Sequence, residues 1–224
     1  MKILITAATG HELLAAQQAA TATVHDITFA VTGIGIAATA YHTAKLLLAE
    51  PCEFALNIGI AGSFTPRLPV GSVACAVKEY FGDSGVQTPA GFSSLFDEQL
   101  LNENTFPFVD GALNADMPPA MAGLFSEYPP ATGVTLQTAT GEQQRIDGLL
   151  RRFQPDIETM ESAAFFYVCL SEKVPFAALR AISNKVEVRN KAAWNIPLAI
   201  QNLETAVRRV VGSLQLQQAV HKEP

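Results

Sequence analysis

The amino-acid sequence predicts an α/β fold, in which a mostly parallel sheet is covered by helices on both faces. Three observations lead to this prediction. Short apolar runs alternate with segments of helical spacing along the chain. Several of these runs are apolar at nearly every position, which is typical of strands that are buried on both faces. Hydrophobic residues make up 49% of the 224 residues, which is enough for one sizeable core.

The first elements follow from simple patterns. The apolar run "KILITA" at 2–7 predicts a strand, and the polar pair after Gly10 opens a helix. A second strand is predicted at 27–33 ("ITFAVTG"), and 38–50 ("ATAYHTAKLLLAE") has helical spacing. The run "FALNIGIAG" at 54–62 predicts a buried strand that enters a glycine turn.

The second half of the chain continues the alternation. In chain order we predict a strand at 71–80, a strand at 133–140, a helix at 141–153, a helix at 161–173, a strand at 175–183 and a closing helix from about 192 to 211. Residues 82–107 are rich in Gly, Ser, Asn and Pro and carry Phe92 and Phe96. This segment is either a plain surface loop or a lid over a binding site. We predict one domain over 1–213 and a polar tail over 214–224.

Composition excludes several classes of function. The formal net charge is −6 and no run of Lys or Arg stands out, which disfavours a nucleic-acid or anionic-membrane surface. Cys52, Cys75 and Cys169 are scattered in apolar contexts, so we expect buried free thiols in a reducing compartment and no metal site. Residues 1–10 are too short for a signal peptide, and glycines break the uncharged stretch 27–44. We expect a cytoplasmic protein with a small-molecule substrate.

A dinucleotide cofactor is one alternative to weigh. The stretch "AATGHELL" has one glycine where the dinucleotide fingerprint has three, and "GIGIAA" at 33–38 matches that fingerprint only loosely. The acidic ribose ligand should end the next strand, whereas Glu53 precedes it. We therefore interpret Gly33 and Gly35 as a tight strand-to-helix turn and predict no cofactor.

Polar groups gather instead where predicted strands end. Glu12 follows the first strand, the glycine turn 57–63 follows a central one, and Ser183 and Asn184 follow the last. Glu161 lies at a strand-to-helix junction. In an open α/β sheet, sites form beyond the carboxyl ends of strands, so we expect these groups to meet.

Each of these residues also has a plainer interpretation. A carboxylate in the first turn of a helix, such as Glu12, is favoured by the helix dipole alone. Asn184 would suit a turn. Glu161 is harder to explain in that way, because its neighbours are apolar and an idle carboxylate there would cost desolvation. Arg180 lies inside an apolar strand, which requires a buried partner such as a carboxylate.

Taken together, these motifs resemble the nucleoside phosphorylase/nucleosidase superfamily. The resemblance rests on "TMESAAFFYVCLSEKVPFAALRAISN" at 159–184 and on "NIGIAGSFTPRLPVGSV" at 57–73, and it extends from residue 1 to about 213. It implies a single-domain, three-layer α/β/α fold with a mixed central sheet. It also implies a nucleoside substrate and a homo-oligomer, a dimer or a tetramer.

Two further stretches resemble one hydrolytic branch of that superfamily. They are "FGDSG" at 81–85 and "SNKVEVRNKAAWNIPLAI" at 183–200. The branch cleaves hypoxanthine from a nucleoside whose 5′ side ends in a carboxyphenyl ketone, on a route to menaquinone. The resemblance therefore implies cleavage of an N-glycosidic bond by water.

The resemblance also assigns roles to residues. By position, Glu12 activates water, Arg180 orients Glu12 or that water, and Glu161 binds the ribose hydroxyls with Met160 packed under the sugar. Adenosine-cleaving members carry Asp where this chain has Asn184, and Asn matches a 6-oxopurine better because it can accept from N7–H and donate to O6. The other substrate contacts implied are Ile60, Gly62, Thr138, Ala139, Thr140, Ser183 and, against the aryl group, Phe92.

The sequence leaves open which residue binds the carboxyphenyl group and is compatible with other functions. The carboxyphenyl group needs a cation or donor, for which Arg67, Arg189 and Lys191 are candidates. A methylthioadenosine-type nucleosidase is disfavoured by Asn184, and a purine nucleoside phosphorylase is disfavoured because "TGHELL" lacks the Arg that would hold phosphate. A non-catalytic nucleoside-binding protein would tolerate Glu12→Gln, and an NAD-binding oxidoreductase would bind its cofactor in titrations.

Overall fold

The computed structural model describes residues 1–19, 26–89 and 91–220. Its strands are β1 (Lys2–Ala7), β2 (Asp26–Val31), β3 (Phe54–Ser63), β4 (Val73–Phe81), β5 (Gly85–Thr88), β6 (Gly91–Ser94), β7 (Leu113–Asn114), β8 (Pro130–Thr135), β9 (Ile157–Thr159) and β10 (Phe176–Lys185). Its α-helices are α1 (Gly10–Ala19), α2 (Ile36–Ala49), α3 (Pro119–Phe125), α4 (Gln143–Phe153), α5 (Ser162–Ser171) and α6 (Ile196–Val220). A short 3₁₀ helix covers Lys191–Ala193.

The main sheet is mixed and partly closed. Its strands follow the order β10-β4-β8-β9-β3-β1-β2, with β7 on β4, and β10 also pairs with β3. Strands β1, β2, β3 and β10 run parallel, whereas β4 is antiparallel to β10 and β9 is antiparallel to β3. Strands β3, β10, β4, β8 and β9 thus form a closed ring, and the carboxyl ends of β1, β3 and β10 lie at one edge of the sheet.

Two apolar layers cover the sheet. One layer packs α1, α3 and α6 against side chains such as Ile5, Leu56 and Leu179. The other packs α2 and α5 against side chains such as Ala55 and Phe176. Helices on both faces of a largely parallel sheet confirm the predicted three-layer α/β class, and the antiparallel pairings account for its mixed character.

The predicted elements differ from the structure mainly between β4 and α5. The strand predicted at 133–140 is Pro130–Thr135, because the chain leaves the sheet after Leu136 and the N–H of Gln137 bonds to Asp83 Oδ2 (2.8 Å). Strand β9 was not predicted, since three residues carry no periodic signal. The segment 82–107 contains the hairpin β5–β6, and α6 continues through residues 214–220, which were predicted as tail. Residues 221–224 lie outside the described residues.

The sequence also led to predictions about the cysteines, about membrane-spanning segments and about metal sites. Cys75 and Cys169 are buried free thiols, as predicted, whereas Cys52 is only partly buried. Burial raises the pKa of Cys75 to about 11. Within the described parts of the chain, no helix is both long and apolar enough to cross a bilayer. The same residues contain no group of three or more His, Cys, Asp or Glu side chains placed to hold a metal ion.

Candidate active site

Glu12 closes the N-terminal end of α1. Its Oε2 accepts the backbone N–H of Thr9 (3.0 Å) and the Thr9 hydroxyl (2.7 Å), and the hydroxyl accepts the N–H of Glu12 (3.4 Å). This reciprocal arrangement is a capping box, in which a Thr and the Glu three residues later satisfy one another's backbone. The plain helix-start interpretation of Glu12 is therefore correct for one of its two carboxylate oxygens.

The other oxygen of Glu12 faces β3. Oε1 accepts the backbone N–H of Ile60 (3.1 Å) and lies 3.2 Å from the point that a Cβ on Gly59 would occupy. An ionised carboxylate offers about four acceptor positions, and three of them are filled by Thr9 and Ile60. With respect to the described residues, one position on Oε1 is left to accept a proton or a hydrogen bond. Only 6% of Glu12 is exposed, so this position is sheltered from bulk water.

Glu161 approaches Glu12 from the end of β9, a strand that runs antiparallel to β3. Strand β9 is antiparallel to β3, with Glu158 opposite Gly62, so the chain beyond β9 runs back along β3. Glu161 precedes the first residue of α5, and its Oε1 accepts the N–H of Gly35 (2.9 Å). Burial raises the pKa of Glu161, and the negative charge of Glu12 adds to that rise.

The turn before α2 supplies that N–H. Gly33 and Gly35 have φ angles of 87° and 89°, a left-handed conformation that favours glycine. The interpretation of these glycines as a tight turn is confirmed. Gln137 holds the turn from the other side, because its Oε1 accepts the N–H of Ile36 (3.0 Å). Sequence reasoning missed both contacts, since their partners are 126 and 101 residues apart in the chain.

Arg180 is buried and bonded to neutral groups. Its Nε donates to Ser162 Oγ (3.0 Å), and its Nη1 donates to the carbonyls of Asn57 (3.3 Å) and Leu179 (2.9 Å). Its Nη2 donates to Asn57 Oδ1 and to Ser162 Oγ (2.7 Å). A guanidinium has five N–H groups, and these five bonds use all of them. Arg180 thus has the buried partners that an apolar strand requires, but among the described residues they are hydroxyl, amide and carbonyl oxygens rather than a carboxylate.

Arg180 nevertheless acts on carboxylates through its charge. Its Cζ lies 3.9 Å from the position of a Cβ on Gly59, next to Glu12 Oε1. Burial lowers the pKa of Arg180, whereas the charges of Glu79, Glu161 and Glu12 raise it. The guanidinium thus balances negative charge at the site. Its donors are not free to orient Glu12 or a water molecule in this arrangement.

Asn184 lies at the end of β10, where the strand is irregular. The pairing of β10 with β3 skips a residue between Ile182 and Asn184, and such a bulge re-aims the side chain that follows it. Asn184 Oδ1 accepts the Ser183 hydroxyl (2.8 Å), and its Nδ2 donates to the Lys185 carbonyl (2.8 Å). Among the residues that the structure describes, none uses the remaining N–H and the remaining acceptor position of this amide. Its Nδ2 lies beside Gly62 on β3.

The structure brings most of the predicted residues together on β3 and its neighbours. Ile60 bonds Glu12, Gly62 contacts Asn184, Ser183 supports Asn184, and Met160 directly precedes Glu161. Thr138, Ala139 and Thr140 follow β8 in the loop before α4. The N–H of Thr140 is held by Glu158 Oε1 (2.9 Å) and is therefore not free to contact a base.

Phe92, the predicted contact of the aryl group, and Phe96 in the same segment contact residues outside this cluster. The ring of Phe92, in the hairpin β5–β6, lies 5.7 Å from the guanidinium of Arg152 on α4. Phe96 packs on Phe108. Among the candidate cations, Arg67 is paired with Asp156 (2.9 Å). Arg189 packs against Gly141, at the end of the loop that carries Thr138–Thr140.

The fold agrees with comparisons to known proteins. A family model of the phosphorylase superfamily matches residues 5–212, so the chain belongs to that superfamily. The futalosine hydrolase of Thermus thermophilus is 33% identical over 183 residues, which cover 80% of this chain and 79% of that protein. The futalosine hydrolase of Streptomyces coelicolor is 32% identical over 193 residues, which cover 82% and 77%. Within the superfamily, the chain belongs with the futalosine hydrolases.

A solved structure supports the fold. The futalosine hydrolase of Helicobacter pylori strain 26695 superposes with a TM-score of 0.80 at 16% sequence identity, covering 95% of this chain and 98% of that one. At this identity the likeness concerns the fold, and the nucleoside phosphorylase-like architecture is thereby confirmed.

Proposed function

We propose that this chain is a futalosine hydrolase, which cleaves the N-glycosidic bond of futalosine with water and releases hypoxanthine and dehypoxanthine futalosine. The observation that carries the proposal is the placement of Glu12. Its sheltered carboxylate keeps one acceptor position on Oε1, beside the glycine turn of β3 and close to the charge of Arg180. Membership of the futalosine hydrolase branch supports the choice of substrate.

The reaction sets three tasks for the protein. The transition state resembles an oxocarbenium ion, with positive charge on the ribose and negative charge on the leaving purine. The protein has to deprotonate water, hold the ribose and stabilise the purine. Glu12 takes the proton from water at the free position of Oε1, so that the oxygen attacks C1′ as the bond to the base breaks.

Glu161 holds the ribose. One of its oxygens accepts the N–H of Gly35, which leaves the other oxygen free to accept hydrogen bonds from the 2′- and 3′-hydroxyls. Its negative charge also favours the cationic sugar. Because burial raises the pKa of Glu161, the protein binds and turns over substrate best at a pH where this carboxyl has ionised.

Asn184 recognises the base. Once N7 of the departing purine has taken a proton from solvent, the unused acceptor position of Asn184 accepts a hydrogen bond from N7–H and its unused N–H donates to O6, which matches hypoxanthine. A 6-amino group would instead place its own N–H donors against the N–H donor of Asn184. This match disfavours a methylthioadenosine-type nucleosidase, and a phosphorylase is disfavoured because the loop that carries Glu12 has no Arg for phosphate.

We also propose that the chain works as a homo-oligomer in the cytoplasm, on the route to menaquinone. Helix α2 exposes two large apolar side chains that are seven residues apart and therefore lie on one face of the helix, and the turn before α2 exposes a third. They are Ile34, Tyr41 and Leu48, each more than half exposed. Light scattering coupled to size-exclusion chromatography measures the subunit number, and a monomer at micromolar concentration would contradict the oligomer.

Substrate comparison tests the proposed function. The purified chain is incubated with futalosine, inosine and methylthioadenosine, and the released bases are separated by chromatography. We expect hypoxanthine from futalosine, with a kcat/KM at least about a hundredfold above that for the other two nucleosides. Adenine released from methylthioadenosine at a comparable rate would contradict the proposal.

A further inference from the structure

A series of hydrogen bonds through buried hydroxyls connects the start of α5 to the carboxylate of Glu79, which has no role in the proposed mechanism. The N–H of Ala163 donates to Thr135 Oγ1 (2.8 Å), and the N–H of Ser162 donates to Thr159 Oγ1 (3.4 Å). The two threonine hydroxyls are 2.9 Å apart, and Thr135 Oγ1 donates to Glu79 Oε2 (3.0 Å). Every donor in this series of hydrogen bonds can therefore point toward Glu79, and this arrangement stabilises a negative charge on its carboxylate.

The space around Glu79 is closed. Glu79 lies on β4 with no exposed surface, and a Cβ at Gly133 on β8 would overlap its carboxylate. Its Oε1 has no hydrogen-bond partner among the described residues. Burial raises the pKa of Glu79 to about 7, although the charge of Arg180 and the hydroxyls of Thr135 and Ser162 act to lower it.

Glu79 is connected to the candidate site through Ser162 and Arg180. Ser162 accepts two hydrogen bonds from Arg180 and directly follows Glu161, so it joins the guanidinium to the residue that holds the ribose. The charged groups that face Glu79 are Arg180 on β10 and Glu161 at the start of α5. The neighbouring strands β8 and β9 present Thr135 and Thr159, which do not titrate. Glu12 also interacts with the charge of Arg180.

We propose that Glu79 is a positioning residue for the hydrolysis, which acts through Arg180 and Ser162 and sets the negative charge beneath the ribose by gaining or losing a proton. The inference rests on the proposed function. With Glu79 protonated, Arg180 balances one of the two carboxylates Glu12 and Glu161. With Glu79 ionised, the site carries one more negative charge, which favours the cationic sugar of the transition state.

The consequence is a rise in rate with pH. A unit charge at a distance on the order of 10 Å, with an effective dielectric constant of about 20, changes a rate about tenfold. We therefore expect kcat for futalosine to rise about tenfold as the pH passes through about 7, in addition to the acid limb set by Glu161.

The test compares pH profiles of kcat for the wild type and Glu79→Gln. The Gln variant is neutral at every pH, so we expect it to keep the acid limb and to lose the step near pH 7. Thr135→Val removes a donor that stabilises the ionised form, and we expect it to move the step to higher pH. Glu158→Gln is the matched control, since this buried carboxyl bonds the loop residue Thr140 rather than Ser162 or Arg180; it should keep the step at the wild-type position.

Other outcomes would overturn the inference. A Glu79→Gln variant that keeps the step, or that loses the same factor at every pH, would reduce Glu79 to a structural residue. If that variant does not fold, an unmoved step in Thr135→Val has the same meaning. Infrared titration without substrate separates this inference from the proposed function: the wild-type band of a protonated carboxyl should vanish near pH 7 and be absent from Glu79→Gln. Without that band the inference fails, even if futalosine is cleaved.

Discussion

At the scale of single residues, the site is a set of carboxylates around one buried cation. Glu12, Glu161 and Glu79 all act on Arg180 by charge, while the five N–H groups of Arg180 are held by Asn57, Ser162 and Leu179. The guanidinium is fixed by neutral groups, so its charge stays in place when a carboxylate gains or loses a proton.

Glu12→Gln should lose most turnover and keep the fold. A glutamine can still close the capping box with Thr9, because this motif takes Glu or Gln at the third position. It cannot take a proton from water, and general-base catalysis contributes about 10²- to 10⁴-fold. Steady-state kinetics should show kcat reduced by about that factor, with thermal unfolding within a few degrees of the wild type. A kcat within about threefold of the wild type would remove Glu12 from its role.

Asn184→Asp should change the choice of base. An ionised Asp accepts from a 6-amino group but has no N–H to donate to O6, so cleavage of 6-oxopurines should weaken. The measurement is the ratio of kcat/KM for inosine to that for adenosine, which we expect to fall by about tenfold or more. An unchanged ratio would mean that Asn184 does not recognise the base.

At the scale of elements, the site depends on the long strand β3. The backbone N–H of Ile60 on this strand donates to Glu12. Gly59 leaves room for the Glu12 carboxylate, and Gly62 leaves room for the side chain of Asn184. The edge formed by β1, β3 and β10 was predictable, because buried parallel strands have apolar runs that end in polar residues. The antiparallel approach of Glu161 was not, because β9 is three residues long and leaves no pattern.

Gly59→Ala should disturb catalysis more than folding. The added methyl would lie 3.2 Å from Glu12 Oε1, which forces a shift of a few tenths of an ångström in the carboxylate. A misplaced base costs rate, and we expect kcat to fall about ten- to a hundredfold. Gly123→Ala on α3 is the control, because no described residue beyond its chain neighbours and its own helix backbone lies within 4 Å of the added methyl, and activity should not change. Equal kcat values for the two variants would show that the contact with Gly59 has no role.

At the scale of the whole molecule, the closed ring of β3, β10, β4, β8 and β9 carries buried polar groups. The hydroxyls of Thr135 on β8 and Thr159 on β9 and the carboxylate of Glu79 on β4 are buried and are hydrogen-bonded across these strands. From the sequence, Glu79 belongs to an ordinary strand "VACAVKEYF". The residues that bond the ring together are far apart in the chain, so no local pattern could indicate them.

The buried carboxyl of Glu79 should make the free energy of unfolding depend on pH. In the folded state its pKa is raised from 4.5 to about 7, so between these values the folded protein holds a proton that the unfolded chain releases. The free energy of unfolding therefore falls as the pH rises through this window, by an amount on the order of 3 kcal/mol. Urea unfolding at about pH 5 and about pH 8 should show a smaller decline in Glu79→Gln. An equal decline in both proteins would contradict the raised pKa.

The phosphate dependence of hypoxanthine release from futalosine tests the central claim most directly. The wild type is assayed in phosphate-free buffer and again with about 50 mM phosphate, well above the usual range of KM values, and the sugar product is identified by mass spectrometry. If Glu12 activates water, the rate is the same in both buffers and the product is the free sugar. Release that requires phosphate, with a sugar 1-phosphate as product, would make the protein a phosphorylase and contradict the account.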